Sequence, residues 1–134
     1  MDNLLIEDTA PFSDKEIENI QNIIGRNLPD DYAAFAKKYG GCFIGGEVDG
    51  NADLPILGFL NANADDGVLS VLDTHPDMKA DKILPFADCS LGNLWVFSDK
   101  DEIFYVNYYD GFTKSTKVSN SFSDLIKRIV RSDN

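Results

Sequence analysis

The chain has 134 residues, a formal net charge of −11 and two cysteines. That length predicts one domain over 1–134 with a core large enough to need no disulfide staple. The charge speaks against nucleic acid and anionic membrane surfaces as partners, and no apolar run approaches the roughly 18 residues of a membrane-spanning helix. The first residues carry Asp2, Glu7 and Asp8 and no basic stretch, unlike a secretory signal. Cys42 and Cys89 stand far apart without metal-ligand spacing, so two free thiols and a cytoplasmic location are expected.

Residues 1–11 give little signal. Ser13 followed by Glu16 makes a capping box, with Phe12 and Ile17 placed as a hydrophobic staple. Ile17, Ile20 and Ile24 recur at helical spacing and Gly25 supplies a stop, which predicts a helix over 13–24. A second helix is predicted over 29–39. Pro29 suits a first turn, Asp30 and Asp31 suit the positive end of the helix dipole, and Tyr32, Phe35, Ala36 and Tyr39 form one apolar stripe.

Residues 42–60 read as a strand, an acidic turn and another strand. Cys42-Phe43-Ile44 and Leu54–Phe59 are the apolar parts, Gly45-Gly46 and Asp49-Gly50-Asn51 the breaks, and Pro55 marks an edge or strand-end position. Asn61 to Gly67 reads as loop, and Val68 to Leu72 as a short helix before His75-Pro76. The stretch 81–106 is the sheet centre. Ile83–Ala87, Leu94–Phe97 and Ile103–Val106 are rich in aromatic and β-branched residues and are separated by turns at Gly92-Asn93 and Asp99–Asp101. At least two antiparallel strands are expected within 83–109, with a turn at Asp110-Gly111 and a return strand within 112–118. Ser121 and Asp124 open a last helix, expected over 121–131. Phe122, Leu125, Ile126, Ile129 and Val130 form its apolar stripe, and Lys127, Arg128 and Arg131 cover its far side. Helices, a run of antiparallel strands and a final helix make an α+β arrangement.

No catalytic constellation emerges. His75 is the only histidine. Asp73 and Asp77 flank it, but two carboxylates and one imidazole at this spacing are common, and a turn histidine is the simpler reading. Asp65-Asp66 has no neighbour that would shift a carboxyl pKa, the glycine pairs lack the Lys-Ser/Thr of a phosphate loop, and Cys89 has no adjacent base. No enzyme, metal or cofactor is expected. Charge is uneven instead. No Lys or Arg occurs between Tyr39 and Asp77, while Glu47, Asp49, Asp53, Asp65, Asp66, Asp73 and Asp77 are acidic. Such a surface favours a basic protein partner.

The ordered motifs Ser13–Ile17, Leu28-Pro29-Asp30-Asp31-Tyr32, Tyr39-Gly40-Gly41, Ile83–Asp88, Leu91–Trp95, Ile103–Val106 and Ser121–Ile126 resemble the SUKH superfamily of Smi1/Knr4-like domains over nearly the whole chain. Asn93, where many members have Asp, and the long acidic 47–66 stretch depart from it. The resemblance implies an α+β fold with a curved, mostly antiparallel sheet carrying N-terminal helices and a C-terminal helix. It also implies no catalytic residues. Bacterial members are similar to immunity proteins that neutralise polymorphic toxins, often nucleases, by stoichiometric binding; eukaryotic relatives are regulatory binding hubs. The leading expectation is therefore an immunity protein for a cognate, basic toxin domain, contacted through Glu47, Asp49, Asp53, Asp65 and Asp66. Phe43 and Phe59, which flank the acidic turn, are expected in the core. A scaffold without a toxin partner is the second reading, and a small-molecule binder or enzyme with a sheet-lined pocket the third.

Overall fold

A computed structural model describes residues 6–89, 91–107 and 115–131. The chain begins with a short strand β1 (Glu7–Ala10) and two helices, α1 (Asp14–Ile24) and α2 (Asp30–Lys38). The capping box predicted for α1 is formed. Glu16 N–H donates to Ser13 Oγ at 3.1 Å and Ser13 N–H donates to Glu16 Oε1 at 2.8 Å. Gly25 ends the helix at φ +76°, a left-handed conformation that favours glycine. Pro29 is the residue just before α2 rather than its first turn.

Strands β2 (Gly41–Val48) and β3 (Pro55–Phe59) follow, then two short helices, α3 (Val68–Thr74) and α4 (Pro76–Ala80). The remaining elements are β4 (Leu84–Asp88), β5 (Leu94–Phe97), β6 (Ile103–Val106), β7 (Ser115–Ser119), α5 (Phe122–Arg128) and β8 (Ile129–Arg131). The predicted turn at Asp110-Gly111 lies outside the described residues. The strands form one antiparallel sheet in the order β1-β2-β3-β4-β5-β6-β7, with β8 also paired to β2.

Two expectations are corrected. The helix predicted over 121–131 stops at Arg128, and Ile129 to Arg131 pair with Val48, Glu47 and Gly46 of β2. The physical reason is an open length of β2 edge. Its N–H and C=O groups offer Ile129 and Val130, both β-branched, a partner that one more helical turn would leave unused. Val130 accordingly leaves the apolar stripe and is 52% exposed, while Ile129 stays buried. The second correction concerns β2. It continues through Gly45-Gly46 with a bulge between Phe43 and Gly46, so Glu47 lies in the strand, opposite Pro55 on one side and Val130 on the other.

The core lies between the sheet and α2 and α5. Tyr32 of α2 sits within 5.8 Å, 5.3 Å and 5.3 Å, ring centre to ring centre, of Phe86, Phe97 and Phe122. Phe35 reaches Phe59 at 4.6 Å. These tilted and edge-on contacts suit aromatic quadrupoles and bury large apolar areas. Asp31 Oδ2 accepts from both the backbone N–H and the hydroxyl of Ser123, each at 3.0 Å, which ties the starts of α2 and α5 together. Trp95 is fully buried and donates its Nε1–H to the carbonyl of Pro55 at 3.0 Å. Pro55 opens β3, which suits a residue with no N–H to give to the ladder.

Candidate protein-interaction face

Strand register builds one row of side chains across the whole sheet. Glu7 stands opposite Phe43, Phe43 opposite Gly58, Gly58 opposite Asp88, Asp88 opposite Leu94, Leu94 opposite Val106 and Val106 opposite Ser115. Directly opposed residues of antiparallel strands share a face, and their sequence neighbours take the other. The neighbouring row, Cys42-Phe59-Ala87-Trp95-Tyr105-Thr116, is therefore on the reverse side. Phe59, Ala87 and Trp95 of that reverse row are buried.

On the first face Leu94 and Val106 are buried, but the end carrying Glu7, Phe43 and Asp88 is open. Phe43 is 44% exposed, contrary to the core position expected for it. Phe59 is buried, as expected. The reason for the difference is alternation. Cys42 and Ile44 on either side of Phe43 turn inward, and Phe43 must then turn out. No side chain on β3 rises to cover it, because its partner there is Gly58. Glycine is required at 58 by close approach, since a Cβ would lie 2.6 Å from the carbonyl oxygen of Cys42.

Removal of that one side chain opens a cleft of about 270 Å³ between Phe43 and Asp88, with Asp8, Leu57 and Asn61 also lining it. Asp88 further lines a second cleft, of about 440 Å³, together with Asp65, Asp66, His75 and Leu94. Among the described residues no Lys or Arg lines either cleft. The Asp88 carboxyl is half-buried, and its pKa is raised, first by burial and then by the charge of Asp66, with backbone N–H groups of Asp88 and Gly58 offsetting part of the rise.

Asp65 and Asp66 are held by an ordered turn. Val68 N–H donates to the carbonyl of Asn61 at 2.8 Å and Gly67 N–H to that of Ala64 at 2.8 Å, which closes the 61–68 segment at its base. The two exposed carboxylates stand on this closed loop.

The five acidic residues predicted as a contact surface thus separate. Asp65 and Asp66 line one cleft with Asp88, and Asp88 also lines the neighbouring cleft that holds Phe43. Glu47 is half-exposed farther along β2, next to exposed Val130. Asp53 lines a different cleft, of about 440 Å³, beside Tyr105 and Thr116 of the reverse row. Asp49 is engaged within the fold by Arg128. Asp8 and Asp88, which also line the Phe43 cleft, carry no motif in the sequence; register places Asp88 in the Phe43 row through Gly58, and Asp8 sits at the irregularity between Glu7 and Ala10 where β1 departs from regular pairing.

His75 connects α3 and α4, and its Nδ1 lies 3.0 Å from both the Val71 carbonyl and the Thr74 hydroxyl. Among the described residues no group of three or more His, Cys, Asp or Glu is placed to hold a metal ion. A cavity of about 530 Å³ between α4 and the sheet has an apolar floor of Met78, Ile83, Val96, Phe104 and Val106, with His75, Asp77 and Asp81 at its rim. Cys42 and Cys89 are buried free thiols, and burial pushes the Cys42 thiol up to about 11. No helix among the described residues is long and apolar enough to cross a membrane.

The sequence pattern of the SMI1 / KNR4 family (SUKH-1) matches residues 11–128. The chain belongs to this family. A comparison with curated proteins gave no match. Members of the SMI1 / KNR4 family are non-catalytic binding domains, and membership makes this chain a binding module of the same general kind. The matched span takes in α1 through α5 and leaves out β1 and β8, the two strands that flank β2 on one edge.

Proposed function

We propose that this chain is an immunity protein, a single domain acting in the cytoplasm, that binds a cognate toxin domain in stoichiometric complex and blocks it. The observation that carries the reading is an exposed aromatic ring, Phe43, on an open sheet face rimmed by carboxylates and free of Lys and Arg among the lining residues. Exposed aromatics that can be buried by a partner are the usual anchors of tight interfaces, and surrounding charge sets the encounter rate and the choice of partner. The partner that fits is basic. A nuclease toxin is one such partner, since it must hold a polyanion, and an acidic protein seated on that surface excludes the substrate. Asp65 and Asp66, which share a cleft with Asp88, are the proposed contact residues, with Glu47 and Val130 farther along β2 and Asp53 in a separate cleft. Asp49 contributes charge to the region but is already paired.

The test is binding kinetics against the toxin domain encoded beside this gene, at two salt concentrations. Wild type should associate rapidly at low salt and slow as salt rises. The paired substitution Asp65→Lys, Asp66→Lys should slow association and flatten the salt dependence while leaving the fold intact. Unchanged kinetics in the folded variant would place the interface elsewhere. No binding by wild type would favour a scaffold or regulatory module without a toxin partner.

A further inference from the structure

Resting on the reading of this face as the seat of a basic partner, we infer that the cleft between Phe43 and Asp88 is built to take one arginine side chain of that partner, its guanidinium stacked on the Phe43 ring and paired with the Asp88 carboxylate. Three features of the cleft select that group. The first is its shape. Gly58, between the two residues in the same row, contributes no side chain there, so a flat group can lie over its backbone between the ring and the carboxylate. The second is the ring itself. Phe43 leans along β2 over Gly45, whose added Cβ would stand 3.3 Å from the ring edge. The ring therefore has a defined position at the cleft wall. The third is charge. Asp88 faces Asp8 across one cleft and Asp65 and Asp66 across the other, with no cation among the described residues lining either.

An arginine answers all three. Its planar guanidinium stacks on an aromatic face and at the same time presents donors in its own plane to a carboxylate. It is more weakly hydrated than an ammonium, so it loses less on entering a half-buried site. Lysine would satisfy the charge but not the plane. An uncharged side chain would leave Asp88 beside Asp66 with no relief. The raised carboxyl pKa of Asp88 agrees with this, because a cation supplied from outside would remove the repulsion that helps to raise it.

The experiment uses the full chain and two probes of equal charge, hexa-arginine and hexa-lysine peptides, titrated at low salt and followed by backbone amide shifts. Wild type should bind both. The arginine peptide should bind about threefold or more tightly than the lysine peptide, a preference of the size expected for cation–π stacking, with the largest shifts at Phe43, Gly58 and Asp88. Phe43→Leu keeps the apolar bulk and removes the ring, and Asp88→Asn removes the carboxylate. Each should bring the arginine-to-lysine ratio close to one. Asp73→Asn, a loss of the same charge from outside both clefts, should leave the ratio unchanged. Equal affinity for the two peptides in wild type, a ratio that survives in Phe43→Leu and Asp88→Asn, or a ratio that falls equally in Asp73→Asn, would overturn the arginine seat and leave the basic-partner reading standing. Failure of both peptides to bind would overturn that reading and the seat with it.

Discussion

Arg128 grips Asp49 with two nitrogens, Nε at 3.0 Å and 3.2 Å from the two carboxylate oxygens and Nη2 at 2.7 Å from one of them. Its remaining nitrogen donates to the Val118 carbonyl at 2.7 Å and to Asp124 at 3.0 Å. One guanidinium thus joins the β2–β3 turn, β7 and the end of α5, and the backbone N–H of Asp49 donates to the carbonyl of Arg128 at 2.7 Å to complete the joint. Substitution Arg128→Ala should destabilise by about 1 kcal/mol, chiefly through the Val118 carbonyl, because exposed ion pairs alone contribute little. The pH dependence has a definite sign. The hydrogen bond from Arg128 holds the Asp49 carboxyl below its ordinary value, and bonds from Ser119 and then Arg128 do the same for Asp124. Their contribution is complete above the ordinary carboxylate range and is lost as pH falls through the depressed values. Thermal melts should show wild type losing stability below about pH 4 more steeply than Arg128→Ala. Parallel curves would count against the joint.

Phe43→Ala should separate folding from binding. With the ring half-exposed and no side chain above it on β3, stability should change by less than about 1 kcal/mol. Affinity for the cognate toxin domain should fall about tenfold or more if the ring anchors the interface. Denaturant melts and surface binding read the two quantities, and a large loss of stability with unchanged affinity would return Phe43 to a structural role.

Trp95→Phe should be expensive for the opposite reason. The indole is wholly buried and its N–H satisfies the Pro55 carbonyl at the start of β3. Loss of volume together with an orphaned carbonyl predicts about 2–4 kcal/mol of destabilisation in urea unfolding. A cost well under that range would mean that water or a rearranged β3 takes over the carbonyl.

Asp88→Asn should stabilise the free protein at neutral pH. A carboxyl whose folded pKa is raised favours the fold when protonated, and that benefit disappears as pH rises through the folded value. The asparagine stays neutral, so the gain should be present at pH 7 and should shrink at pH 3. Melting temperatures across that range test it. An Asn variant less stable than wild type at pH 7 would show that the ionised group is stabilised by contacts stronger than its burial.

Cys42 and Cys89 are buried, and burial holds the Cys42 thiol largely unionised at neutral pH. Native protein should alkylate slowly at pH 8, and denatured protein without reductant should carry two labels by intact mass. Zero labels in denatured protein would reveal a bond between the two.

The parts of the fold legible in the sequence are those fixed by local chemistry. Ser13 and Glu16 announce a helix start that the chain adopts atom for atom, Gly25 its end, and the aromatic run 83–106 yields β4, β5 and β6. Ser121 caps α5 as read, with Asp124 N–H donating to its hydroxyl at 3.1 Å, although the Asp124 carboxylate turns to Ser119 and Arg128 instead of closing a box. What escaped depends on partners distant in sequence. Ile129 and Val130 fit a helical stripe until β2 offers them an open edge, and nothing local marks the change. Glu7 to Ala10 has poor strand propensity and becomes a strand only because β2 lies beside it. The proposed contact residues follow the same pattern. Asp65 and Asp66 are proposed from charge alone, the pairing of Asp49 is invisible because Arg128 is remote in the chain, and the exposure of Phe43 depends on a neighbour across the sheet, Gly58, that only register supplies.

On one edge of β2, residues 7–10 cover the first half and residues 129–131 the second, running in the same direction. The strand that carries Phe43 is therefore completed by segments from opposite extremes of the sequence. During synthesis on the ribosome, β2 can pair with β1 and β3 early, yet its second half keeps bare edge groups until residue 131 has emerged from the exit tunnel. The half of β2 that holds Phe43 can thus be completed before the half that holds Glu47, and the sheet closes only once residues 129–131 are available.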